Sequence, residues 1–174
     1  MALTLAYCPY LPPLLYFDNH RSALDHPHII DAYIASKQSV GRYSSGFTPS
    51  ELEALIGPFC TSPLGVIPKP NSNKFHIIQD LSFPRGNLVT PSVNAGINPD
   101  CFPTSWGSFS ETAALIPSLP EGCLAATFDI EAAYRIMPLA ILQQASVCIQ
   151  WKGLVYVDQA LMFGLSSSAG VFGR

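Results

Sequence analysis

The 174 residues are 48% hydrophobic and only 12% charged, which gives the chain apolar material for a core and excludes a charge-rich disordered segment. Nine Lys and Arg against twelve Asp and Glu leave a formal charge of −3, which excludes a broadly basic surface built to neutralise phosphates, though Lys69, Lys74 and Arg85 are the group expected to make a small positive groove. No uninterrupted apolar run is long enough to cross a bilayer, and five widely spaced cysteines, Cys8, Cys60, Cys101, Cys123 and Cys148, fit neither zinc-ligand spacing nor a secreted disulfide framework.

In chain order, residues 1–20 read as irregular and proline-rich. Their apolar start lacks the basic n-region of a secretory signal. His20, His26 and His28 fall in a loop-like stretch with no cysteine nearby to suggest a metal. Residues 28–40 have helical periodicity, with Ile29, Ile30, Tyr33 and Ile34 on one side. Thr48-Pro49-Ser50-Glu51 opens a second helix: Thr48 caps, Pro49 suits the first turn, Glu51 completes a capping box, and Gly57-Pro58 ends it. Gly65-Val66-Ile67 and Phe75-His76-Ile77-Ile78 read as two strands joined by a polar tip at Asn71-Ser72-Asn73, with Lys69 and Lys74 flanking the bend. Residues 85–106 are turn-rich, and a helix is predicted near 110–119.

After the turn signal Pro120-Glu121-Gly122, the small apolar run 122–127 reads as a buried strand with Asp129 at its C-terminal end. A helix follows to about residue 145. A carboxylate at that junction either caps the helix or meets a cation, because burying it alone is costly. Residues 146–150 and 154–158 read as paired strands around a Lys152-Gly153 turn, and Asp158 is assigned a structural role. One α+β domain with a small helical lead-in is expected, the lead-in covering 1–60 and the main body 61–174.

Four blocks stand in a recognisable order: Ser62 to Pro70, Lys74 to Ser82, Phe128-Asp129-Ile130-Glu131-Ala132-Ala133-Tyr134-Arg135, and Leu161-Met162-Phe163-Gly164-Leu165-Ser166-Ser167. Together they resemble successive motifs of retrotransposon reverse transcriptases, RNA-directed DNA polymerases, over nearly two thirds of the chain. The resemblance implies a partial right-hand polymerase, fingers plus the first part of a palm. It implies that Lys69 and Lys74 hold an incoming dNTP, with His76 standing where the family usually has arginine. A neutral imidazole does not reproduce arginine's charged, bidentate phosphate contact. Asp129 matches the first catalytic aspartate, which binds Mg2+ with the backbone carbonyl of Ile130. Tyr134 matches the aromatic residue that excludes a 2′-hydroxyl, and Phe163 and Gly164 match the loop beneath template and nascent base pair. Met162 stands where proline is common. Asp80 matches a structural or positioning residue, and Arg135 contacts a nucleic-acid backbone or pairs with a surface carboxylate.

By the same resemblance the partners are an RNA template, a DNA primer and dNTP; the scattered cysteines read as buried free thiols of a reducing, intracellular setting, cytoplasm or nucleus. No Asp-Asp pair occurs in the sequence, whereas two-metal phosphoryl transfer needs several carboxylates around its ions. The expectation is therefore a truncated fragment, inactive alone, whose site is completed by a missing palm and thumb region or a dimer partner. The alternative is a non-catalytic remnant that binds RNA or a protein.

Overall fold

The computed structural model describes residues 15–104 and 107–173. Residues 1–14 of the proline-rich start, with Cys8, lie outside the described residues, as do Trp106 and Arg174. The elements are α1 (Arg21–Leu24), α2 (Pro27–Ser39), α3 (Pro49–Ile56), β1 (Leu64–Pro68), β2 (Phe75–Gln79), α4 (Phe109–Leu115), α5 (Ile141–Gln144), β3 (Cys148–Trp151), β4 (Leu154–Val157) and α6 (Ser168–Phe172). Single 3-10 turns occupy Asn94–Gly96, Pro99–Cys101, Ile116–Ser118 and Ala133–Ile136.

The helical lead-in forms for the reasons its sequence offers. Pro27 opens α2 where its missing amide would have no partner, and Ile30 and Ile34, one turn apart, are buried while Ile29 and Tyr33 flank them. These side chains enter the same cluster as Leu64 and Val66 of β1 and Ile149 and Trp151 of β3, so α2 is fastened to both hairpins. Burying two isoleucines contributes about 1.5–3 kcal/mol each. Asp31, beside this stripe, adds a polar tie, accepting Trp151 Nε1 at 2.8 Å and Lys152 Nζ at 2.7 Å. The box at α3 closes as expected: the Glu51 amide donates to Thr48 Oγ1 at 3.4 Å and the Thr48 amide to Glu51 Oε2 at 2.8 Å. The loop-like stretch expected around His20 and His26 folds instead into α1 and the entry to α2. The Asp25 amide closes α1 on Arg21 O, and His26 is bonded to Ser22 O at 3.0 Å.

Both expected hairpins are present. β1 and β2 pair antiparallel with Val66 opposite Ile77 and Ile67 opposite His76, and β3 and β4 pair with Cys148 opposite Val157. Lys152 and Gly153 at the second turn both have positive φ, 49° and 79°, the conformation a two-residue primed turn requires. Parallel bridges of Leu15 to Cys60 and of Thr61 to Cys148 run alongside, so the chain before β1 lies against β3. Leu81, Ile97, Phe102, Leu139, Val147, Leu161, Met162, Leu165 and Val171 form a second core that packs α6 and the turn-rich segment together.

Two expected elements do not form. Residues 123–130 take no regular secondary structure and pair with no described strand, and they are exposed throughout, Leu124 at 98% and Phe128 at 92%. A strand exists by its ladder, and no described strand lies beside this one to accept its amides. The helix from 129 to 145 is replaced by the 3-10 turn Ala133–Ile136 and the short α5. Ala132 has left-handed φ of 52°, and Pro138 would sit in the interior of the longer helix, where it lacks the amide for the i→i−4 bond. Pro138 bridges Ala160 instead. The helix near 110–119 is present but shorter, α4 followed by a 3-10 turn. Its start carries a second capping box, Ser108 with Glu111.

Candidate functional site

The β1–β2 hairpin presents its lysines at the tip. The Lys69 amide donates to Lys74 O at 2.8 Å, Asn71 takes the positive-φ position at 56°, and neither ammonium enters an ion pair among the described residues. Val66 and Ile77 face the core, which turns His76 and its partner Ile67 outward on the opposite face. Three expected phosphate-contacting residues thus share one solvent-facing hairpin, two as cations at its bend and one as an imidazole along its strand.

Immediately after β2, Asp80 is nearly buried and well paired. Arg85 donates to it through two nitrogens, at 2.9 and 3.1 Å, His20 Nε2 lies 3.0 Å from Oδ2, and the Ser82 amide donates to Oδ1 at 3.2 Å. Burial pushes this carboxyl up, but the hydrogen bonds from Arg85 and His20 together outweigh it and hold Asp80 below the usual carboxylate range. Arg85, expected to group with Lys69 and Lys74, is therefore engaged by Asp80.

Tyr134, Phe163 and Gly164 come from separate sequence blocks and meet. The Tyr134 ring lies 4.8 Å from Phe163 and 5.6 Å from Phe172, the latter edge-on. Gly164 has φ of 87°, which favours glycine, and its carbonyl accepts a hydrogen bond from Asn94 Nδ2 at 2.8 Å. Asn94 also donates to Ser82 Oγ at 2.8 Å and accepts from the Ser166 amide at 2.9 Å, so one side chain clamps the Phe163–Gly164 loop to the segment that follows β2. Asn94 was not singled out from sequence. It lies in the turn-rich stretch, where asparagine is an ordinary loop residue, and only its long-range partners give it a role. No hydrogen bond, ion pair or ring contact among the described residues joins Lys69, Lys74 or His76 to this aromatic group.

Arg135 is neither at a nucleic-acid-facing surface nor on a surface carboxylate. It is buried and makes a two-pronged bond with buried Asp158, Nη1 to Oδ2 at 2.7 Å and Nη2 to Oδ1 at 2.9 Å. Burial opposes the guanidinium charge, but the bonds to Asp158 prevail and raise its pKa above the ordinary arginine value. For Asp158 burial is the stronger influence and pushes the carboxyl up against the pull of Arg135.

Asp129 and Ile130 stand on the exposed, unpaired segment. No group of three or more His, Cys, Asp or Glu side chains is gathered as a metal site among the described residues. One carboxylate and one main-chain carbonyl are few donors for a hard divalent ion that takes about six oxygens, so these residues do not by themselves fit Mg2+. Among the described residues no helix is long and apolar enough to cross a membrane.

No family model and no curated protein matches the chain. Solved structures do. A selenomethionine-labelled CSH mutant of prototype foamy virus protease-reverse transcriptase matches over 98% of this chain and 19% of its own, with a TM-score of 0.62 and 16% identity. The foamy viral protease-reverse transcriptase dRH solved with double-stranded DNA matches over 98% of this chain and 25% of its own, with a TM-score of 0.55 and 15% identity. The foamy viral enzyme solved with an RNA/DNA hybrid matches over 93% and 18%, with a TM-score of 0.54 and 14% identity. The chain spans about a fifth to a quarter of the length of these proteins. It has a reverse-transcriptase-like fold of mixed helices and strands.

Proposed function

We propose that this chain is the fingers and N-terminal palm portion of a retrotransposon reverse transcriptase, descended from an RNA-directed DNA polymerase and inactive alone. The observation that carries the reading is the meeting of Tyr134 with Phe163 beside Gly164, residues far apart in sequence that the resemblance assigns to one nucleotide site. Lys69 and Lys74 are the cations for a dNTP triphosphate, with His76 as a weaker neighbour. An RNA template and a DNA primer are the partners, a reading supported by nucleic acid in the solved foamy viral relatives of the fold. Mg2+, when bound, would polarise the phosphoryl oxygens, with Asp129 and the Ile130 carbonyl as two of its ligands. The remaining ligands belong to a further palm and thumb region or to a dimer partner.

The test is magnesium-dependent primer extension on an RNA template. The 174-residue chain is expected to give no product, while a polymerising protein that contains it should lose extension with Asp129→Asn. Undiminished extension by that variant would sink the assignment of Asp129. A second reading, a non-catalytic remnant that docks a protein, is favoured by one observation, the exposed apolar run through Leu124, Phe128 and Ile130.

A further inference from the structure

Arg135 and Asp158 are the one ion pair among the described residues with both side chains withdrawn from water, 6% and 1% exposed. Such a pair is poor value as a source of stability, because desolvating two charges cancels much of their attraction. This one is not even fully satisfied, since Arg135 Nε is buried without a partner. What the pair supplies is direction. Besides its two bonds to Asp158, Nη1 reaches the carbonyls of Ala160 at 3.2 Å and Leu161 at 3.5 Å, while Asp158 Oδ1 accepts the Ala160 amide at 3.1 Å. One guanidinium therefore fixes the backbone that runs into Phe163. Its own backbone belongs to the 3-10 turn Ala133–Ile136, which also carries Tyr134. The two rings 4.8 Å apart are thus attached, each within two residues, to the two ends of one rigid connection.

We propose that Arg135 and Asp158 are positioning residues that set the Tyr134 ring against Phe163, the connection rather than ring packing deciding their spacing. The consequence for nucleotide recognition rests on the reading of Tyr134 as sugar-facing; the positioning itself does not. Arginine is required because lysine offers a point charge with no planar fork to span a carboxylate and two carbonyls.

The experiment is NMR on the 174-residue chain, reading cross-peaks between the Tyr134 and Phe163 rings, with those between Tyr16 and Phe59, whose rings are 5.6 Å apart, as the control for folding. Arg135→Lys keeps a charge opposite Asp158 and is expected to lose the Tyr134–Phe163 cross-peaks while keeping the control. The paired variant Arg135→Met with Asp158→Leu fills the space without directional bonds and should show the same selective loss. Wild-type intensity in either folded variant would overturn the proposal, since Phe172 and Phe163 would then hold the ring by packing. Unfolding of both variants would overturn it too, by making the pair a structural requirement. Adding dTTP with magnesium to the wild-type chain separates the two readings: shifts confined to Tyr134, Phe163 and the hairpin lysines support the nucleotide site. No shift at Tyr134 would end its sugar-facing role while leaving the positioning result to stand.

Discussion

At Asp80 the effects of burial and of pairing on one carboxyl oppose each other, and pairing wins. Its folded-state pKa lies below the unfolded value, so the stability it contributes is present above the unfolded value of about 3.9 and is lost as pH falls through the lower folded one. Asp80→Asn should flatten that acid-side loss, measured as urea midpoints across pH values below about 4. An unchanged slope would mean that Arg85 and His20 do not stabilise the ionised form. Sequence reading placed Asp80 outside the metal site, but it grouped its partner Arg85 with the lysines. Position along a chain does not say which of two nearby groups a guanidinium will face. Asn94 makes the same point: its side chain and amide make four hydrogen bonds to other segments, none of them visible from a local pattern.

At the level of elements, local chemistry was sufficient wherever the partner was also local. Thr48 with Glu51, the Asn71-Ser72-Asn73 tip and the Lys152-Gly153 turn fold as their residue types require. The Ser108-x-x-Glu111 box forms by the same rule. Helix α2 depends on its apolar stripe, and Ile30→Ala should lower stability by about 2–5 kcal/mol in chemical denaturation because Ile30 is fully buried among β1 and β3 side chains. A loss under 1 kcal/mol, roughly that of a surface change, would show that α2 is not part of the cooperative core. The strand expected at 122–127 has the right composition and no neighbour. Composition supplies a preference for extended backbone, and pairing is what turns it into a strand.

Over the whole molecule, Leu88, Phe109, Leu124, Phe128, Ile141 and Leu142 are each more than 80% exposed. Surfaces of that kind drive association. The double variant Leu124→Ser with Phe128→Ser should reduce concentration-dependent self-association in sedimentation velocity without altering the melting temperature, since neither side chain packs against the core. Unchanged association would place the adhesive surface elsewhere, at α4 or α5.

Residue order alone determined the two hairpins, the capped α3, the periodic face of α2 and the sequence of four blocks that pointed to a reverse-transcriptase-like fold, because each rests on interactions a few residues long or on pattern. Only the tertiary structure decided that Tyr134 packs against Phe163, that Asn94 clamps the loop at Gly164, and that Arg135 is buried on Asp158. It alone decided, too, that Asp129 lies on an unpaired exposed segment. Those outcomes depend on which distant groups arrive at the same place, and the free energy of a buried charge or an unpaired strand is set by that arrival rather than by neighbours along the chain.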